Sequence, residues 1–307
     1  MTENQANQAG VTALITAYAR AYHAAHDSPL IFNDTLAGAL FTREERAALD
    51  RNLAGLLGMV DPELAASRPD QAAALARVVQ IQNGPITLSR SRYCEDCLAE
   101  AVRDGAAQYV ILGAGFDTFA FRRPELAGRL QIFEVDHPAT QAQKRERIAA
   151  AGWAIPHHLH FVPVDFNREG FSGALRGSAY DPRKASFFSW LGVTYYLAHA
   201  VVLATLGAIA GLSAPGSQVV FDYMDADAFD LQKAGSRVRL MQGIAQTVGE
   251  PMQTGFDPRS LGGELEGCRL RLAENLGPAE IEARYFQGRT DAYHAFEHVH
   301  FARVIVG

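Results

Sequence analysis

Two acids, Glu134 and Asp136, close the apolar run Leu130-Gln-Ile-Phe-Glu-Val-Asp136, about twenty residues after a glycine turn. That turn is Leu112-Gly-Ala-Gly-Phe-Asp-Thr118, and it follows the short apolar run Tyr109–Leu112. Glycines at 113 and 115, with only Ala114 between them, leave the main chain bare enough for a ligand to approach it. A carboxylate at the end of the next strand accepts hydrogen bonds from ribose hydroxyls. Glu134 and Asp136 share parity on a strand, so both project to one face. Asp136, at the carboxyl end, is the expected ribose ligand, and Glu134 is either its partner or an interior acid.

The turn departs from the dinucleotide pattern G-x-G-x-x-G, because Thr118 stands where the third glycine belongs. That weakens a nicotinamide or flavin reading. A cofactor lacking pyrophosphate does not need the phosphate-binding helix terminus, and S-adenosyl-L-methionine is one such cofactor. Asp165 ends a third apolar run, Phe161-Val-Pro-Val-Asp165, where it could accept from an adenine amino group while Phe166 packs on the ring. Alternatively, Asp165 caps a turn.

These residues need a scaffold that brings strand ends together. Strands are expected at 109–112, 131–135, 160–164, 185–190 and 218–223, with two more at 269–273 and 300–306. Strand-helix alternation favours a parallel sheet covered on both faces, here an α/β, doubly wound, seven-stranded sheet with an antiparallel end. One clear intervening helix, His199–Leu212, stops at Ser213-Ala-Pro-Gly216. Residues 1–104 read as an alanine-rich helical extension, with helices at 11–26, 42–57, 70–83 and 88–103. Thr42 and Glu45 have capping-box spacing at the start of the second. Residues 105–307 form the expected core, with a helical stretch from Tyr223 to about Val248 inside an insert over 225–265.

The net charge of −6 argues against a nucleic-acid partner, because phosphate binding needs basic surface. No apolar run approaches the ~20 residues that cross a bilayer, and the polar start lacks a secretory pattern. A cytoplasmic protein with a small-molecule acceptor is the expectation. Cys94 and Cys97 form a C-x-x-C within a helical pattern, but only Cys268 accompanies them, so two half-buried thiols are expected and no metal. Among the histidines, His157, His158, His160, His294, His298 and His300 have no spacing that marks a general base.

The segments QYVILGAGFDTFAFR, FEVDHPATQAQKRERI, FVPVDF, SFFSWLGVTYYL and LSAPGSQVVFDY together resemble the leucine carboxyl methyltransferase superfamily. The resemblance is closer to its bacterial branch of class I, Rossmann-like, S-adenosyl-L-methionine-dependent O-methyltransferases, which includes polyketide-tailoring enzymes. It runs from about Ile86 to the C-terminus, and weakly through TAYARAYHA and SPLIFND.

This likeness implies that an arginine before the glycine turn grips the cofactor carboxylate. Arg90 matches, with Arg92 close behind. It also implies turn roles for Gly113 and Gly115, closure of the turn by Asp117 and Thr118, a ribose role for Asp136 and an adenine-side role for Asp165. Eukaryotic members carry a glutamate after the fourth strand where this chain has Leu191, so the acceptor pocket differs. Trp190, Tyr195 and Tyr196 are either pocket-lining or core aromatics. The competing expectations are a nucleotide-cofactor oxidoreductase and a non-catalytic binder of S-adenosyl-L-methionine.

Overall fold

The computed structural model describes residues 3–166, 170–247 and 249–307. Four longer helices precede the sheet: α1 (Glu3–His26), α2 (Arg43–Ala54), α3 (Gln71–Ile81) and α4 (Gly84–Arg103). The capping box forms as spaced, with Thr42 Oγ1 accepting from Glu45 N–H and Glu45 Oε2 accepting from Thr42 N–H. Helix α4 starts four residues before the expected Leu88, because Pro85 falls in its first turn. There its missing N–H has no intrahelical partner to lose.

Seven strands follow: β1 (Gln108–Leu112), β2 (Gln131–Asp136), β3 (Leu159–Pro163), β4 (Ser186–Trp190), β5 (Gln218–Met224), β6 (Leu270–Leu276) and β7 (Val299–Val306). They lie in the order β3-β2-β1-β4-β5-β7-β6. The first five are parallel, and β7 is antiparallel to both β5 and β6. The order reverses between β1 and β4, so a crevice opens beyond the carboxyl ends of those two strands.

Alternate residues feed two apolar layers. Tyr109, Ile111, Ile132, Phe187 and Val220 meet α4 on one face. On the other, Val110, Phe133, Phe188 and Phe221 meet α6 (His199–Leu212). Each fully buried side chain of this size contributes about 1.5–3 kcal/mol.

Three departures from expectation have local causes. The polar segment after β2 forms α5 (Pro138–Ala150), started by Pro138 and by His137, whose ring accepts from Ala139 N–H. The helical stretch expected after Tyr223 is broken into a short turn, Ala226–Phe229, and α7 (Ser236–Thr247), because Asp225 and Asp230 accept from nearby backbone N–H groups. Val248 lies outside the described residues. A register shift between Leu272 and Glu274 lets β6 run on to Leu276.

Candidate cofactor site

Leu112 pairs with both Val135 and Trp190, so the chain leaves the sheet level with Asp136 on one side and Leu191 on the other. Gly113 and Gly115 then take left-handed φ values of 72° and 49°. A Cβ on Gly113 would lie 2.9 Å from Val193 Cγ2, and one on Gly115 would lie 3.1 Å from Ala13 Cβ. Only glycine combines those torsions with that closeness. Asp136 holds the bend from beneath: its Oδ2 accepts from Gly115 N–H at 2.5 Å and its Oδ1 from His137 N–H at 2.6 Å. Burial raises its carboxyl above the ordinary range, and the two N–H groups oppose that rise. Each oxygen keeps lone-pair capacity for a further donor.

Glu134 points to the same sheet face but pairs with Lys144 of α5 at 2.5 Å, both side chains being 1% exposed. Burial pushes its carboxyl up to about 7 against the pull of Lys144, and Oε1 has no hydrogen-bond partner. It is an interior acid beneath the crevice. Asp117 accepts from Phe119 N–H at 2.7 Å and closes the turn. Asp165 lies 3.9 Å from His137 Nε2, beyond β3 and beside Asp136, and Phe166 next to it is 40% exposed.

Thr118 is placed differently. Its side chain is buried and donates to Asp34 at 2.8 Å, while Arg122 Nε donates to its hydroxyl. Asp34 also receives Arg20 at 2.8 Å, and Arg20 Nη2 donates to the Phe116 carbonyl. Burial works against the Asp34 charge, yet Arg20 and Arg122 overcome it and hold the carboxyl below its usual range. Thr118 therefore fastens the N-terminal segment to the turn.

Across the reversal point, Arg90 of α4 and Asp222 of β5 form a buried ion pair at 2.9 Å. Arg90 Nη1 also donates to Tyr195 Oη at 3.1 Å. Burial opposes the guanidinium charge, but Asp222 beside it keeps Arg90 protonated more firmly than usual. Tyr195 is pushed up to about 12 by burial. Tyr196 stacks at a tilt, 4.8 Å from Tyr195 between ring centroids. Arg92, two residues along α4, turns to the exposed side and pairs with Asp96 at 2.9 Å. Two helical residues are about 200° of rotation apart, so α4 presents only one of these arginines to the sheet. Trp190 is 2% exposed in the layer under α6, packed as a core aromatic.

Two further segments roof the turn. Thr12 Oγ1 in α1 donates to Glu250 Oε2 at 2.9 Å. Gln253 N–H donates to the Tyr195 carbonyl at 2.7 Å, and Gln253 Nε2 to that of Tyr196 at 2.8 Å. Sequence reasoning missed Asp34, Asp222 and Glu250. The one available signal was an acid, Asp222, interrupting the apolar run Val219-Val-Phe-Asp222.

The histidines separate by position. His158 and His160 stand at the amino end of β3, remote from the crevice. His298 and His300 both bond to Asp225 just beyond β5, at 2.9 and 3.3 Å, and Gly235 N–H donates to His298 Nε2. Cys94 and Cys97 are unpaired and buried, and burial raises both thiols, Cys97 to about 12. Among the described residues no cluster of His, Cys, Asp or Glu could hold a metal ion, and no helix is long and apolar enough to cross a membrane.

Residues 13–210 match the family profile described as leucine carboxyl methyltransferase. YktD of Bacillus subtilis (strain 168), which carries the name of an S-adenosyl-L-methionine-dependent methyltransferase, is 39% identical over 300 residues, covering 97% of this chain and 98% of that one. A protein of Mycobacterium avium (strain 104) named for the same activity is 33% identical over 218 residues, 71% of this chain and 67% of its own. A solved structure from Streptomyces avermitilis, described as a duf574 family protein, shares the fold with a TM-score of 0.53 at 11% identity, over 84% of this chain and all of that one. These relatives decide between S-adenosyl-L-methionine and a nicotinamide as the cofactor. The chain belongs to the leucine carboxyl methyltransferase family and is a class I methyltransferase whose cofactor is S-adenosyl-L-methionine.

Proposed function

We propose that this enzyme methylates an oxygen, carboxyl or hydroxyl, of a small metabolite of polyketide-like size. The observation that carries this reading is the roofed crevice. Helix α1 meets the glycine turn through Ala13, the insert bonds to Tyr195 and Tyr196, and Thr12 joins the two roofs through Glu250. Such a roof favours a compact acceptor over a folded protein or a duplex.

The residues suit the cofactor on the structure's own terms. The bend at Gly113–Gly115 has no side chain of its own and no room for one beside Val193 and Ala13, and Asp136 offers acceptor lone pairs at its rim. In this reading Arg90 takes the amino-acid carboxylate, Asp136 the ribose hydroxyls, and Asp165 with Phe166 the adenine side. S-Adenosyl-L-methionine, when bound, supplies an electrophilic methyl group on a sulfonium. Tyr195 and Tyr196 line the acceptor side, while α1 and the insert act as a lid that excludes water. Alignment and dryness then do most of the catalysis for an anionic oxygen.

The test is an acceptor screen with methyl-labelled cofactor across small carboxylic acids, phenols and alcohols. Label appearing in an ester or ether supports the proposal. Transfer confined to nitrogen, to sulfur or to macromolecules would sink it.

A further inference from the structure

Asp222 is a fully buried acid with both carboxylate oxygens engaged, and it has no part in the scheme above. It sits inside β5, fully buried, on the same sheet face as Val220. Its Oδ2 receives Arg90 Nη1 at 2.9 Å, and its Oδ1 receives Gly192 N–H at 2.6 Å. Its backbone carbonyl receives Thr194 Oγ1 at 2.6 Å. One residue thereby ties the arginine of α4 to the turn that follows β4.

Gly192 makes room for this. Its φ is 74°, and a Cβ there would lie 2.6 Å from Arg90 Nη2 and 2.9 Å from Arg90 Cζ. The guanidinium therefore lies flat against a bare backbone, with both of its bonds made through Nη1. An arginine held on one edge of its fork presents the other edge in a fixed direction, whereas an unpaired one scatters over its rotamers. A buried carboxylate is also costly unless it is paired, so the strand tolerates Asp222 only together with Arg90.

We propose that Asp222 is a positioning residue for the amino-acid end of the cofactor, fixing Arg90 against Gly192 so that its remaining N–H groups face the α-carboxylate. This rests on the reading of Arg90 as the carboxylate clamp. The experiment compares two ligands by titration calorimetry: S-adenosylhomocysteine, and 5′-methylthioadenosine, which keeps the thioether nucleoside but lacks the amino-acid end. Parent enzyme prefers the first. In Asp222→Asn that preference falls about tenfold or more, as befits a displaced charge-assisted contact, while 5′-methylthioadenosine binds within about twofold of the parent.

Equal weakening of both ligands, or an unchanged ratio, overturns the proposal. Arg90→Ala separates the two readings. If it collapses the preference and Asp222→Asn does not, only the role of Asp222 fails. If Arg90→Ala leaves the preference intact, or the parent has none, the clamp reading fails and this inference with it. Should Asp222→Asn not fold, Asp222→Glu decides, because it keeps the charge while moving the carboxylate, and the guanidinium paired with it, by one methylene. A reduced preference supports the proposal and an unchanged one overturns it.

Discussion

The two sides of the crevice are built by different means. On the β1–β2 side, backbone does the work. Two glycines in left-handed conformation bend the chain, and Asp136, twenty-one positions from Gly115, accepts from that bend and from its own neighbour. On the β4–β5 side, a buried ion pair does it, joining Arg90 to Asp222 across 132 positions of sequence. The first side carries a carboxyl whose burial is unfavourable to its charge, and the second carries a guanidinium that its ion-pair partner holds charged. One side is therefore expected to sacrifice stability for binding, and the other to support both.

The sharpest way to break that contrast is Arg90→Ala. It strands Asp222 as an uncompensated buried charge and is expected to destabilise the fold by about 3–5 kcal/mol, measured by urea denaturation. A loss below about 1 kcal/mol would erase the distinction.

Next comes Asp136→Ala, expected to weaken S-adenosylhomocysteine binding by about tenfold to a hundredfold, the range for hydrogen bonds to a charged group. Its pH behaviour sharpens the same point. The folded carboxyl lies above the ordinary value of 3.8, so its stabilising share is complete below that value and disappears as pH rises through the folded value. The stability difference between Asp136→Asn and the parent should therefore move in the variant's favour from acid pH to neutrality, in paired thermal melts. A shift the other way would mean that Asp136 is stabilised as an anion.

Gly113→Ala is expected to cost about 1–2 kcal/mol, because its left-handed torsion and the nearness of Val193 both oppose a side chain. Smallest is Arg92→Ala. An exposed pair one helical turn apart is worth about 0.3–0.5 kcal/mol, and ligand affinity should not change. A tenfold affinity loss at Arg92 would return it to the clamp role and displace Arg90.

The same asymmetry explains what the sequence discloses. The β1–β2 side is made of neighbours in the chain, so a glycine bend and a strand-end acid are visible as a motif with fixed spacing. Strand identity was legible for a similar reason, since strands buried on both faces read as short apolar runs. The β4–β5 side depends on helix rotation and strand order. Nothing in Ser89-Arg-Ser-Arg-Tyr93 states which arginine faces the sheet, and Asp222 acquires a partner only once β5 lies beside β4. The role of Asp34 was hidden likewise, because its partners come from two distant segments, Arg20 from α1 and Thr118 with Arg122 from just after the glycine turn.

Thr118 carries a consequence for anyone who would re-engineer this crevice for a nicotinamide. Installing glycine at 118 would spell the dinucleotide signature in full, yet it would also remove the hydroxyl that Asp34 accepts from, leaving Arg20 and Arg122 to hold that acid. The hydroxyl that spoils the signature is one of the fastenings of the leading helices, so the change of specificity and a loosening of that layer would arrive in a single substitution.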